Sequence, residues 1–191
     1  MSEQRSPLEQ QLLQLLMERS FKRGEFKLAS GDISDHYIDG RTTSIGSIGT
    51  YLIGQVIYER LKDLNIDAIG GLAVGAVPLT TAAVLTYHLN GREIEGFWVR
   101  DQAKGHGMRK RVEGGLKPNS RVVIVDDVFT RGESALKAAQ AVQEELNCEV
   151  VMVLALVDRL RGAADLFRTN GFNNYQCVFT IRDFGVEPAT S

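Results

Sequence analysis

The order of apolar segments predicts an α/β fold with a mostly parallel central sheet flanked by helices, and three observations carry that prediction. From Asp67 onward, stretches of strand and helix period alternate along the chain. The strand stretches are near-continuous apolar runs, such as Val122 to Val125, which suit strands buried on both faces. The 191 residues are 43% hydrophobic and 24% charged, enough for one globular domain to bury a core without disulfides.

Taken in order, Leu8, Leu12, Leu15 and Leu16 recur at helical spacing after Pro7 and predict an amphipathic N-terminal helix ending near Arg23 and Gly24. FKLASGDISDHYIDGR, residues 26–41, is polar and turn-rich and reads as a hairpin. Ile48, Tyr51, Leu52, Val56 and Ile57 mark a second helix, with Ser47 as its cap. The regular part follows: DAIGG is a strand, PLTTAAVLTYHL a helix, and EIEGFWVR a strand leading into a long loop. RVVIVDD is a strand, ESALKAAQAVQEEL a helix, EVVMVLALVD a strand, GAADLFRTNG a helix and YQCVFTI a last strand. The whole is expected to be one domain: an N-terminal helix and small hood region over 1–45, an α/β core over 46–180, and a C-terminal tail over 181–191. No repeat, low-complexity tract or linker interrupts it.

Composition excludes several function classes. A formal charge of -2 and a pI near 6.0 argue against a general nucleic-acid or membrane-surface binder, so any basic function must be local. The N-terminal MSEQRSPLEQQLLQLLMERS mixes acids and glutamines among its leucines, unlike a signal or transit peptide. No apolar run approaches the roughly 20 residues that cross a bilayer. Cys148 and Cys177 stand apart, without zinc or redox spacing, and read as reduced thiols. The expectation is a soluble cytoplasmic protein.

Within RVVIVDDVFTRGES, residues 121–134, four apolar residues run straight into Asp126 and Asp127. In an open parallel sheet, ligands bind beyond the carboxyl ends of the strands, so the two acids are expected at that crevice. Adjacent carboxylates repel, and desolvating each costs several kcal/mol unless something cationic or hydroxylic compensates. One structural alternative is that they open the loop and cap the next helix. The functional alternatives are a metal or vicinal hydroxyls. The chain has no GxxxxGK[ST], and GGLAVG at 70–75 lacks the spacing of a dinucleotide fingerprint. Thr130, Gly132 and Ser134 then gather hydroxyls and an unhindered amide where a helix begins, which suits a phosphate. Acids followed by a phosphate cradle point to a sugar phosphate.

VVIVDDVFTRGES resembles the phosphoribosyl diphosphate (PRPP) signature of the type I phosphoribosyltransferases. FWVRDQAKGHGMRKRVEG, residues 97–114, is similar to the mobile catalytic loop of the orotate phosphoribosyltransferases, with Arg100, Lys104, His106 and Gly107 in an R-x-x-x-K-x-H-G pattern. FKLASGDISDHYIDGR is similar to the same family's N-terminal segment. The resemblance implies a type I phosphoribosyltransferase fold and transfer of ribose 5-phosphate from PRPP to orotate, giving orotidine 5′-monophosphate and pyrophosphate in pyrimidine (UMP) synthesis. From Arg100 to Arg111 the loop carries Arg100, Lys104, Arg109, Lys110, Arg111 and His106 against one acid, Asp101. Cations that arrive as the site closes would stabilise charge building on the leaving pyrophosphate.

The resemblance also implies roles for single residues. Lys104, His106 and Asp127 would be catalytic. Asp126 and Asp127 would hold the ribose hydroxyls, Thr130, Gly132 and Ser134 the 5-phosphate, and Arg100, Lys104, His106 and the amides of Ala73, Val74 and Gly75 the pyrophosphate. Tyr37, Thr130 and Arg159 would meet orotate, with Arg159 on its carboxylate. Mg²⁺ would come with PRPP and water, without direct protein ligands. A homodimer whose loop 100–114 reaches the neighbouring site is expected, with no nucleic-acid or membrane partner. Four departures from the family pattern, Ala29, Asp101, Arg131 and Glu133, bear on PRPP affinity. The competing readings are a PRPP-sensing regulator and a phosphoribosyltransferase for another base.

Overall fold

Side chains along the strand at 122–125 alternate between two cores, and this alternation organises the molecule. The computed structural model describes residues 5–27, 33–102 and 110–188. In chain order the elements are α1 (Pro7–Arg19), β1 (Phe21–Lys27), β2 (Ile33–Ile38), α2 (Arg41–Ser44), α3 (Ser47–Leu61), β3 (Ala68–Leu72), α4 (Ala76–Leu89) and β4 (Glu95–Val99). They continue with β5 (Val112–Gly114), β6 (Arg121–Phe129), α5 (Glu133–Leu146), β7 (Glu149–Asp158), α6 (Ala163–Thr169), β8 (Tyr175–Thr180) and a 3₁₀ turn, Ile181–Phe184.

The main sheet has the order β5-β4-β3-β6-β7-β8. All neighbouring pairs are parallel except β4 with the short edge strand β5. Val123 and Val125 face a core shared with Leu12 and Leu16 of α1, Ile53 and Ile57 of α3, and Leu79 of α4. Val122 and Ile124 face the other core, with Ala138 and Val142 of α5 and Phe167 of α6. Helices on both faces are what continuous apolar strands require. From β3 the chain crosses to β4 on one side, then returns to β6 on the other. The strand order therefore reverses between β3 and β6, where such sheets place ligands.

The structure corrects several boundaries. α1 stops at Arg19, four residues before Arg23, because Phe21–Lys27 pairs antiparallel with β2 from Phe21↔Ile38 to Lys27↔Ile33. α1 is instead closed at its start by Ser6 and Glu9, which bond each other's backbone amides as a capping box. Ser47 is the first residue of α3, and Gly46 occupies the cap without a side-chain bond. β6 runs two residues past the acids to Phe129, because its ladder with β7 continues to Phe129↔Asp158. β5 lies inside the segment expected to be loop, and Ile181 and Phe184 of the expected tail are buried.

Candidate active site

A cavity of about 430 Å³ opens where β3 and β6 end. Of the residues singled out in the sequence, Asp126, Asp127, Thr130, Ser134 and Arg159 line it, as do Ala73, Val74, Gly75 and Tyr37. Gly132 stands behind it as the cap of α5. Arg100 is held away, its guanidinium paired with Glu113 at 2.7 and 3.1 Å. Lys104 and His106, like Ala29, lie outside the described residues.

The acid pair lies within β6 and does not cap α5, which has no side-chain cap. Asp127 N–H donates to Asp126 Oδ1 at 3.0 Å and Val128 N–H to Asp127 Oδ1 at 2.9 Å, so each carboxylate touches the backbone of the next residue. Neither makes an ion pair among the described residues. Burial, then the neighbouring Asp127 charge, pushes the Asp126 carboxyl up to about 8. Burial also raises Asp127, opposed by the Val128 amide and Arg41. Carboxyls left in this state favour a ligand that brings hydroxyl donors or positive charge.

Two glycines make room for them. A Cβ on Gly75 would sit 2.7 Å from Asp127 Oδ1 and 2.9 Å from Asp126 Oδ1, and one on Gly40 would sit 2.8 Å from Asp127 Oδ2. Both acids therefore converge on the β3–α4 turn, whose Ala73–Val74 peptide bond is cis.

α5 begins differently from α1. Its cap, Gly132, is left-handed at φ 80, and no side chain caps the helix. A side chain at Gly132 would also run into Phe167, 2.8 Å away. The first intrahelical bond is Leu136 N–H to the Gly132 carbonyl, so the preceding amides are left for a ligand at the positive end of the helix. Arg131 and Glu133 are exposed on this loop. Asp101, the other departure, pairs with Lys137 of α5 at 2.8 Å.

Arg159 follows β7 and is 7% exposed. Its Nη2 donates to His36 Nε2 at 3.1 Å and Ser34 Oγ at 3.4 Å, while Nε is buried without a partner. Burial pushes the guanidinium's pKa down. No carboxylate pairs with it among the described residues, so a buried cation meets only His36 and Ser34 there and can take an anion.

Sequence reasoning missed Asp39, Gly40 and Arg41. Arg41 lines the cavity and is gripped by Asp39 through Nε and Nη2, both at 2.8 Å. The only trace in the sequence is an Asp-Gly pair, which reads as a turn.

No protein-family model matches the chain. The chain is 42% identical over 183 residues to an orotate phosphoribosyltransferase of Rhodopirellula baltica, covering 93% of this chain and 94% of the relative. Among solved structures it superposes with TM-score 0.83 and 37% identity on a Mycobacterium tuberculosis orotate phosphoribosyltransferase in complex with Fe(III) dicitrate, covering 94% of this chain and all of that one. The Mycobacterium tuberculosis enzyme in complex with PRPP gives TM-score 0.79 and 34% identity at the same coverage.

Proposed function

The chain belongs to the orotate phosphoribosyltransferase family, and on that premise we propose how its own residues divide the reaction. The enzyme transfers ribose 5-phosphate from PRPP to orotate. The bond from C1 to pyrophosphate breaks, the leaving oxygen keeps the electron pair, and a ring nitrogen of orotate bonds C1 as its N–H proton passes to the departing pyrophosphate. The products are orotidine 5′-monophosphate, for pyrimidine (UMP) synthesis, and pyrophosphate.

Asp126 and Asp127 accept hydrogen bonds from the ribose hydroxyls, which offset their burial, and Asp127 can exchange a proton there. The uncapped amides of α5, with Thr130 and Ser134, hold the 5-phosphate. Amides of Ala73 to Gly75 meet the pyrophosphate, and Arg41, fixed by Asp39, lines the same cavity. Arg159 takes the orotate carboxylate and Tyr37 lies against the base. Lys104 and His106 are assigned to the leaving pyrophosphate on the sequence pattern alone. The observation that carries this reading is one cavity that holds uncompensated acids, an uncapped helix start and an unpaired buried arginine.

Mg²⁺ suits these residues. Two uncompensated carboxylates attract a cation, yet no cluster of three or more metal-ligating side chains exists among the described residues. We assign the ion to PRPP and water, where it would neutralise charge on the leaving group.

A homodimer is supported by a second, mainly apolar groove of about 430 Å³, lined by Val77, Val84, Leu85 and Trp98 between α4 and β4. Leu85 is 55% exposed. In a dimer, segment 100–114 of one subunit would serve the neighbour's site; mixing Lys104→Ala with Asp127→Asn chains should then restore activity, and failure to do so argues for self-contained sites. A cytoplasmic location is part of this proposal; no described helix is long and apolar enough to cross a membrane.

The activity is tested by orotate's ultraviolet absorbance on mixing protein, PRPP and Mg²⁺. Loss that requires all three components is expected. No loss, with PRPP still bound, would favour a sensor.

A further inference from the structure

We infer that His36, oriented by Asp35, is a positioning residue for the base side of the site, and that it holds Arg159 only as a neutral imidazole. The inference rests on the reading of Arg159 as the group that meets the orotate carboxylate.

The hydrogen bonds determine the tautomer. His36 is buried, and its Nδ1 lies 2.7 Å from Asp35 Oδ1, a carboxylate that can only accept. Its Nε2 lies 3.1 Å from Arg159 Nη2, and a guanidinium can only donate. The ring therefore carries its proton on Nδ1 and offers Nε2 as acceptor. Ser34 Oγ donates to the His36 carbonyl at 2.8 Å and keeps a lone pair toward Arg159. Both groups come from the inward face of β2, where Ser34, His36 and Ile38 alternate with exposed neighbours.

These neutral contacts hold the guanidinium without consuming its charge. A carboxylate in the place of His36 would compete with the substrate; an apolar residue would leave Nη2 unsatisfied and the buried side chain free to turn. Protonation of His36 would aim Nε2–H at Nη2–H, donor against donor with two like charges in contact. The charged groups around the ring are Asp35 on its own strand and Arg159 from the loop after β7, both in contact with it, with Arg161 acting on Arg159 and Arg23 at the paired position of β1 acting on Asp35. Arg23 is engaged elsewhere, on the Gly185 carbonyl at 2.9 Å, and the Phe21 ring stacks on the imidazole.

The test is steady-state kinetics of the full chain for the wild type, His36→Gln, His36→Phe and Arg159→Ala, in steps from about pH 8 to about pH 5.5. PRPP phosphates titrate near pH 6, so wild type is compared with His36→Gln at each pH. Glutamine can present an amide oxygen to Arg159 and does not titrate. At pH 8, His36→Phe should raise KM for orotate about tenfold and KM for PRPP less than about twofold, while His36→Gln stays near wild type. As the pH falls, the wild-type KM for orotate should rise relative to His36→Gln, which has no ring nitrogen to protonate.

His36→Gln tracking the wild type at every pH, or His36→Phe raising both KM values together, would overturn the inference. An unchanged KM for orotate in Arg159→Ala would remove the reading of Arg159, and this inference with it. A large effect there with a flat His36 series removes His36 alone. If His36→Phe does not fold, the pH series of His36→Gln decides.

Discussion

β6 and β7 lie side by side in the sheet, and each buries carboxylates near its carboxyl end in a different way. Asp158, which closes β7, is 2% exposed and fully used: it accepts the Leu160 amide at 2.8 Å and the Tyr175 hydroxyl. Asp126 and Asp127 of β6 accept the amides of the residues that follow them, meet no ion-pair partner among the described residues, and are pushed toward the neutral form. Asp158 is structural, fixing the turn that presents Arg159. The pair on β6 is unfinished without a ligand. What separates the two is the number of donors each acid has found, since all three are largely buried.

Substitution should separate them most sharply. Asp127→Asn should lower kcat/KM for PRPP on the order of a hundredfold, the scale of losing charge-assisted hydrogen bonds, with the fold intact. Asp158→Asn should instead lower the urea midpoint and leave the KM for PRPP near wild type; equal activity losses in both variants would erase the distinction. Arg159→Lys should raise KM for orotate about tenfold, because a point charge cannot reproduce the planar fork, with kcat for saturating substrates changed less.

Stability should show the same contrast through pH. The Asp126 carboxyl is raised from 3.8 to about 8 in the fold. A raised pKa means stability that is fully present below about pH 3.8 and is lost as pH rises through about 8. Asp126→Asn cannot ionise, so the ligand-free variant should be more stable than wild type by on the order of 2 kcal/mol at pH 8, the gap closing toward pH 4. Urea melts across that range measure it, and a constant gap would refute the assigned cause. The smallest effect belongs to the exposed Asp101–Lys137 pair, at 58% and 54% side-chain exposure. Lys137→Ala should change stability by less than about 0.5 kcal/mol in the same melts.

Legibility followed the locality of each feature. The apolar run of β6, its interruption by two acids and the start of α5 fall within fourteen consecutive residues, so their chemistry is readable in line. The core strands were also readable, since burial on both faces leaves an unmistakable composition. β5 was not, because three residues borrow their ladder from β4 and carry no pattern of their own. Nor was the setting of Arg159, whose partners Ser34 and His36 precede it by 125 and 123 residues. Gly40 looked like a turn glycine, yet the space it leaves is filled by Asp127. The assignments of Lys104 and His106 lie outside the described residues and stand on the sequence pattern.

Calorimetric binding of PRPP with Mg²⁺, and of orotate, to Asp126→Asn and Arg159→Ala tests the division between the two strand ends most directly. Asp126→Asn should weaken PRPP at least about tenfold and leave orotate within about threefold, and Arg159→Ala should do the reverse. Both variants weakening the same ligand, and sparing the other, would contradict it.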